Sequence, residues 1–458
     1  MEMGSGEDMR VRLAVRMPGT SGVESSLRVG FDIAKPCATP MKVAHLLRKY
    51  NPDEWGGTET AVKRLVEGLR AHATEPVVFC PRLARRTAGD PLAAAGIAVK
   101  RFRSVLPVWR IPERQRLEMI AVGGNLLSFD LPAQLLREKA LALIHTHTLN
   151  RLGGTALTVA RLRRIPLVVT IHGGLFDLPE EVSAQLVRPL QGGVEWGRVF
   201  GFLLRSKKVV EAADAVLTCN AREAALIAER YPRQRVVVQS HSVNAQLYEQ
   251  PAGAEVDRHF PALRGVPFLL VLGRLDPVKN QGWLLEQAPA LLRRHPGLRF
   301  VLAGACTNEA YGETLRASIR TFGLEDRVLL TGGLPPEDPR LIGLLQRACA
   351  VVVPSQSETF GLVVLEAWAA GTPVISSRTS GVRELIRDGE NGWLFDLAEP
   401  AGFHATVDAV MANPESTAAA VAKGREEVSA KYDSAVLAGR VNELYRELIV
   451  RKQSRCTT

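Results

Sequence analysis

From residue 41 onward, short apolar runs alternate with stretches of helical periodicity, and the rhythm is played twice along the chain. In the first series the apolar runs fall at 42–47, 77–79, 141–145, 167–171, 215–218 and 235–238, with helical stretches at 58–73, 155–164 and 222–231. In the second they fall at 268–272, 298–302, 328–331, 351–353 and 373–376, separated by helical stretches at 281–294, 310–322, 341–347 and 362–370. A strand that is apolar on both faces must be covered on both, and a helix after each strand covers it while returning the chain for a parallel neighbour. The expected class is therefore α/β, with two doubly wound domains at 41–250 and 265–415. The segment 244–266, rich in Pro, Gly and Ala, reads as an irregular linker. A helical tail at 416–450, with Val428, Tyr432, Val436, Val441 and Leu444 among its apolar positions, is expected to cross back and brace the first domain. Residues 1–40 show no periodicity and read as a disordered extension, with Met41 as an alternative initiator.

Charge and cysteine content narrow the classes of function. Across 458 residues, 58 basic and 48 acidic side chains leave a net charge of +10, which favours anionic partners without choosing among them. The six cysteines (Cys37, Cys80, Cys219, Cys306, Cys349 and Cys456) are scattered, with no CxxC pair and no histidine cluster at metal-ligand spacing in the linear sequence. A reducing cytoplasm is the expected compartment. No apolar run approaches the roughly 18–20 residues that span a bilayer, and early acidic residues and arginines break up any leader-like segment. Arg161, Arg163, Arg164, Arg198, Arg205, Lys207 and Lys208 make parts of the first domain basic enough for peripheral contact with an anionic membrane, at the inner face of the cell membrane. No GxGxxG follows an expected strand, which argues against a dinucleotide-dependent oxidoreductase, and no aromatic-interleaved basic module points to nucleic acid.

Open parallel sheets bind ligands outside the carboxyl ends of their strands, so the chemistry is expected in loops that follow strands. The most informative segment runs from Pro354 to Val374. Glu358 falls in its loop, Glu366 falls in the following helix, and the Phe360, Gly361 and Leu362 amides lie at the helix N-terminus. Such amides suit an anionic or hydroxylated ligand, and carboxylates accept hydrogen bonds from hydroxyls. The plainer alternative makes Glu358 a complement to the helix dipole and Glu366 a solvated surface residue. After the first strand of the same domain, Gly273-Arg-Leu-Asp-Pro-Val-Lys places Arg274 and Lys279 at the matching end of the sheet. A guanidinium fork and an ammonium there can neutralise a diphosphate, and no acidic cluster suggests a dedicated magnesium site.

Taken together, these motifs resemble the retaining glycosyltransferases of family 4, which have the GT-B fold. The resemblance rests on the Glu-x7-Glu pattern at Glu358 and Glu366, the Gly-Arg-Leu-x-x-x-Lys loop at Arg274 and Lys279, and Ala-x-Gly-Thr-Pro-Val at 369–374. It is strongest over 268–396. It implies that Arg274 and Lys279 bind the donor diphosphate, Glu358 the sugar hydroxyls and Glu366 the ribose, while the Phe360 to Leu362 amides hold the transferred sugar and phosphate. Trp55-Gly-Gly-Thr-Glu is similar to the family's glycine-rich loop, with Gly56 and Gly57 close to phosphate or acceptor. Thr-Ile-His172-Gly-Gly resembles the segment that supplies an active-site histidine, whereas His145 and His147 read as hydrogen-bonded structural residues. Near the linker, Gln239-Ser-His241-Ser-Val-Asn departs from the family's frequent Pro-Asn-Gly-Val-Asp.

The implied activity is metal-independent transfer of a hexosyl unit, with retention, from a nucleoside diphosphate sugar to a hydroxyl of a sugar or lipid-linked acceptor. The donor is the only cofactor-like requirement, and polysaccharide, glycolipid or glycoconjugate synthesis is the expected setting. The alternatives are a sugar-nucleotide 2-epimerase of the same fold and a non-catalytic sugar-nucleotide-binding subunit.

Overall fold

The computed structural model describes residues 40–457 except 53–55, 84–88, 114–115, 117–118, 121–123, 174–175, 177–193 and 336. The expected extension before residue 40, and Trp55 of the glycine-rich loop, lie outside the described residues. The strands in chain order are β1 (Met41–Leu46), β2 (Thr74–Pro81), β3 (Ala98–Phe102), β4 (Val108–Trp109), β5 (Leu141–Thr146), β6 (Leu167–Ile171), β7 (Val194–Glu195), β8 (Ala215–Thr218) and β9 (Val236–Val238) in the first series. The second series comprises β10 (Phe268–Leu272), β11 (Arg299–Ala303), β12 (Val328–Gly332), β13 (Ala350–Val353), β14 (Val374–Ser377) and β15 (Trp393–Phe395).

Two sheets form, in the orders β3-β2-β1-β5-β6-β8-β9 and β12-β11-β10-β13-β14-β15, while β4 and β7 make a separate short antiparallel pair. Within each large sheet the pairings are parallel. Each sheet begins in its middle and winds outward first one way and then the other, so the order reverses beside β1 and β5 in the first and beside β10 and β13 in the second. The central strands are covered on both sides: β6 and β13 are buried at every residue, because helices pack on both faces. The sequence pattern misses β3 and β15. Both are short edge strands, and Lys100 and Arg101 of β3 break its apolar signal.

The expected irregular linker is ordered instead. Helix Gly253–His259 and two short 3₁₀ turns occupy it, and Tyr248, Val256 and Leu263 join Leu341, Leu344 and Leu345 in the second domain's core. The C-terminal tail divides in two. Helix Pro414–Glu427 lies on the second domain, where Gly424 passes over the ring of the fully buried Trp368. The chain then crosses beside Val243, whose backbone exchanges hydrogen bonds with Tyr432 and Ser434. Helix Ser434–Thr457 then packs Ala438, Val441, Leu444, Tyr445 and Leu448 against Val43, Leu143, Val168 and Leu217 beneath the first sheet. The part of the tail that packs beneath the first sheet is therefore helix Ser434–Thr457. No helix among the described residues is long and apolar enough to cross a membrane.

Candidate active site

Both reversal points carry the motifs singled out in the sequence, at the strand ends where ligands of such sheets sit. In the second domain, β10 runs into Gly273, whose φ of +148° is a backbone state that side chains avoid. The chain turns there into Arg274 and the 3₁₀ turn Pro277–Lys279, capped by the Asp276 carboxylate accepting from the Val278 amide. The neighbouring strand β13 runs into Ser355 and Glu358. The two loops are tied together: the Gln356 amide donates to the Val278 carbonyl at 2.9 Å, and Lys279 Nζ donates to Glu358 Oε1 at 2.5 Å. Ser355 Oγ donates to the same carboxylate oxygen at 2.8 Å, and Gln281 Nε2 donates to the Arg274 carbonyl. Glu358, expected on the plainer alternative to serve only the helix dipole, is therefore one partner of a largely buried ion pair.

Gly361, at φ +103°, turns the chain into helix Leu362–Ala370 and offers its first amides no side-chain cap. That helix is apolar on every side because it is buried on every side. Its one carboxylate, Glu366, is buried rather than solvated, since Arg64 Nη2 donates to Glu366 Oε1 at 2.6 Å from across the cleft. Arg64 also donates to the Ser242 carbonyl at 3.0 Å. Sequence reasoning missed Arg64. The available signal was its position seven residues after Gly57 on one helix, which puts both on the same face. Gly57 itself sits at the start of helix Gly57–Arg70, where a Cβ would stand 3.5 Å from the Leu362 side chain of the other domain. Gly56 precedes it in an extended conformation beside the Glu59 carboxylate. Burial pushes the Glu59 carboxyl above its usual range, opposed by the charges of Lys49, Arg274 and Arg48. The domains also meet where Asn220 Nδ2 donates to the Thr359 carbonyl at 2.7 Å and where Glu384 accepts from the Ala221 amide at 3.0 Å.

On the first-domain side the structure gathers five histidines that are dispersed in sequence. His45 Nδ1 and His147 Nε2 are 3.1 Å apart, and His147 Nδ1 and His172 Nε2 are 2.8 Å apart. His172 stacks on His241, ring centres 5.1 Å apart, and His241 meets the edge of Phe360 at 5.1 Å. The departure from the family pattern at His241 thus places an imidazole between the expected active-site histidine and the second domain's Phe360. His145 and His147, read from sequence as structural, differ in setting. His145 bonds Tyr445 at 2.5 Å and Thr170 at 2.6 Å, whereas His147 is the direct partner of His172. His45, His145 and His147 bring ring nitrogens within 4.8 Å of one another, a cluster that linear spacing conceals. Both nitrogens of His145 are already hydrogen-bonded, so the cluster works as a hydrogen-bond network. Burial lowers His45 to about 3 and His241 to about 4, and holds His145, His147 and His172 well below the ordinary histidine range. A neutral imidazole has one donor and one acceptor. The proton on His147 therefore dictates which nitrogen of His172 carries a proton, and the Nδ1 of His172 is buried without a partner among the described residues.

Comparisons with known proteins establish the family and the fold. A family model described as Glycosyl transferases group 1 matches residues 255–427, and another, Glycosyl transferase 4-like domain, matches residues 56–240. The D-inositol 3-phosphate glycosyltransferase of Geodermatophilus obscurus is 31% identical over 410 residues, covering 78% of this chain and 84% of that protein. The chain belongs to the family 4-like glycosyltransferases. The glycosyltransferase is also 29% identical to the D-inositol 3-phosphate glycosyltransferase of Acidothermus cellulolyticus, over 80% of this chain and 81% of the relative. Among solved structures, Anabaena HepE in complex with UDP and glucose superposes with a TM-score of 0.68 at 20% identity, covering 89% of this chain and all (100%) of HepE. Sucrose-phosphate synthase from Thermosynechococcus elongatus gives 0.66 at 22% identity, over 90% of this chain and 100% of the synthase. The glycosyltransferase has the GT-B fold, as the sequence motifs imply.

Proposed function

We propose that the glycosyltransferase moves a hexosyl unit, with retention and without a metal, from a nucleoside diphosphate sugar to an acceptor hydroxyl. One observation carries the reading: Arg274, Lys279, Glu358 and the amides around Gly361 converge at the reversal point of the second sheet, facing Gly57 across the cleft. Arg274 and Lys279 neutralise the diphosphate as it leaves the anomeric carbon, the electrostatic help such a reaction needs most. Glu358, held beside Lys279, accepts hydrogen bonds from the donor sugar's hydroxyls. The Phe360, Gly361 and Leu362 amides face the sugar and phosphate, and Glu366 faces the ribose, with Arg64 holding its carboxylate in place. On the acceptor side, His172 works as a neutral hydrogen-bonding group. Following the family resemblance, the acceptor proton passes to a phosphate oxygen as the acceptor hydroxyl attacks from the face that the phosphate leaves.

HepE was solved with UDP and glucose, which makes UDP-sugars the first donors to try. The relatives named for D-inositol 3-phosphate make a phosphorylated cyclitol the first acceptor to try. The test is ligand-observed NMR of the purified chain against UDP-, GDP-, ADP- and TDP-sugars, with the anomeric signals followed over time. Binding of one donor with slow release of its sugar is the expected result, and addition of an acceptor should give a product of unchanged anomeric configuration. Conversion into an epimeric donor would instead establish the epimerase. Failure to bind any donor would overturn the reading.

A further inference from the structure

A row of aromatic rings lies on the first domain in the loops that follow β3 and β6, at the rim on the carboxyl ends of the strands. Trp109 and Trp196 have ring centres 6.0 Å apart, Phe200 meets Trp196 edge-on at 6.1 Å, and Phe129 meets Phe200 edge-on at 5.5 Å. The row does not close over itself. Trp109 is 61% exposed, Phe129 63%, Phe202 84% and Leu203 65%, and Val199 beside them is exposed as well. So many large apolar side chains in one exposed patch mark a contact surface.

The platform beneath is rigid. Arg151, almost fully buried, donates to the Gly197 carbonyl at 2.9 Å and to the Asn125 carbonyl at 2.5 Å, and also pairs with Glu195. Arg198, Arg205, Lys207 and Lys208 are exposed around the same patch. Glu195, the only carboxylate in the segment 194–208, is engaged by Arg151 and by Arg198. The cores of protein interfaces are depleted in lysine, whereas here cations interleave with Val199, Phe202 and Leu203. Arg198 faces Glu195 and Lys208 faces Glu211, yet basic side chains still outnumber acidic ones here, and aromatic and aliphatic side chains set among such a cationic excess match the interfacial zone of a bilayer with anionic headgroups. The structure also separates two groups that the sequence puts together. Helix Asn150–Arg163 starts at the carboxyl end of β5 and runs back along the sheet for about 20 Å. Arg161, Arg163 and Arg164 therefore stand at the opposite edge, where Arg163 donates to the Leu135 and Glu138 carbonyls.

We propose that this rim is a docking surface for an anionic lipid bilayer, with Phe202 and Leu203 entering the headgroup region and Arg198, Lys207 and Lys208 over lipid phosphates. If the chain works as the proposed transferase, this surface turns the acceptor side of the cleft toward the membrane.

The test is co-sedimentation of the full chain with sucrose-loaded vesicles, of phosphatidylcholine alone or of phosphatidylcholine and phosphatidylglycerol in equal parts, at low and high salt. Binding is expected only to the anionic vesicles and only at low salt. Arg198→Ala, Lys207→Ala and Lys208→Ala should each weaken it about fivefold. Phe202→Ser with Leu203→Ser should weaken it about tenfold or more at an unchanged melting temperature. No sedimentation with anionic vesicles at low salt overturns the proposal, as does binding that neither set of variants reduces. Self-association abolished by Phe202→Ser, without vesicle binding, assigns the face to a second copy of the chain and overturns it too. Donor hydrolysis without vesicles, measured alongside, should match wild type in every variant. A wild-type chain that sediments with vesicles but turns over no donor faults the transfer reading and leaves the docking surface standing.

Discussion

On the second domain, Arg274, Lys279 and Glu358 stand on two loops at one reversal point, with Lys279 and Glu358 in direct contact. On the first domain, His45, His145, His147, His172 and His241 meet as neutral rings buried beneath the same cleft. The difference follows from where each set is built. Short loops at one reversal point hold the charged side chains, which stay partly exposed, with Lys279 and Glu358 paired. His45, His145, His147 and His172 sit on or just after covered central strands and His241 is buried in the segment after β9, and burial removes the solvation that a cationic ring needs. On the proposed transfer function, one half of the cleft would hold a charged leaving group and the other would orient hydroxyls without adding charge.

The ion pair between the halves is the sharpest place to break that division. Arg64→Met strands Glu366 as a buried, unpaired carboxylate and should cost about 3–5 kcal/mol in denaturant unfolding. Adding Glu366→Leu should recover most of that loss, whereas strict additivity of the two changes would mean that the pair is not coupled. On the charged side, Arg274→Ala and Lys279→Ala should each lower turnover about a hundred- to a thousandfold with the fold intact by circular dichroism. Wild-type rates in both would remove these residues from the site. Gly361→Ala forces a Cβ into φ +103° and to within 3.2 Å of Val382, so it should cost about 1–3 kcal/mol and impair donor binding.

The neutral side predicts an acid response. Each buried histidine takes up a proton in the unfolded chain near pH 6.5 but, when folded, only far below it, as with His45 at about 3 and His241 at about 4. The unfolded state therefore binds more protons between those limits, and stability must fall as pH drops through the window. Each ring contributes up to about 1.4 kcal/mol per pH unit, with no contribution above pH 7. Thermal unfolding between pH 4.5 and 8 on the order of single-unit steps reads the slope, and His241→Phe should flatten it. A melting temperature that is level across this range would mean that the rings are not buried in neutral form. The smallest effect is expected at His147→Phe, which leaves donor binding unchanged but frees the tautomer of His172, visible in the ¹⁵N shifts of its ring.

Much of this was legible in the sequence. The alternation of apolar runs and helical stretches foretold two parallel sheets, and Glu358, Arg274, Lys279 and Gly361 could be read as candidates because each lies in a loop that follows a strand. The linker helix Gly253–His259 was not, because its Pro-, Gly- and Ala-rich flanks hide a short amphipathic turn that only the facing Leu341, Leu344 and Leu345 make apolar on one side. Glu366 was read as a candidate site residue, but its partner was not: Arg64 is 302 positions away, and its spacing from Gly57 marks a shared helix face without saying which carboxylate that face meets.

What the sequence by itself determined is the repeated strand–helix unit and the identity of the loops that follow each strand, since periodicity and turn chemistry act over a few residues. The tertiary structure alone decided that five scattered histidines share one buried network, that Glu366 is neutralised from the opposite domain, and that the basic residues of the first domain stand at two opposite edges. Burial and charge pairing are properties of the packed whole, and a side chain acquires them only when distant segments close around it.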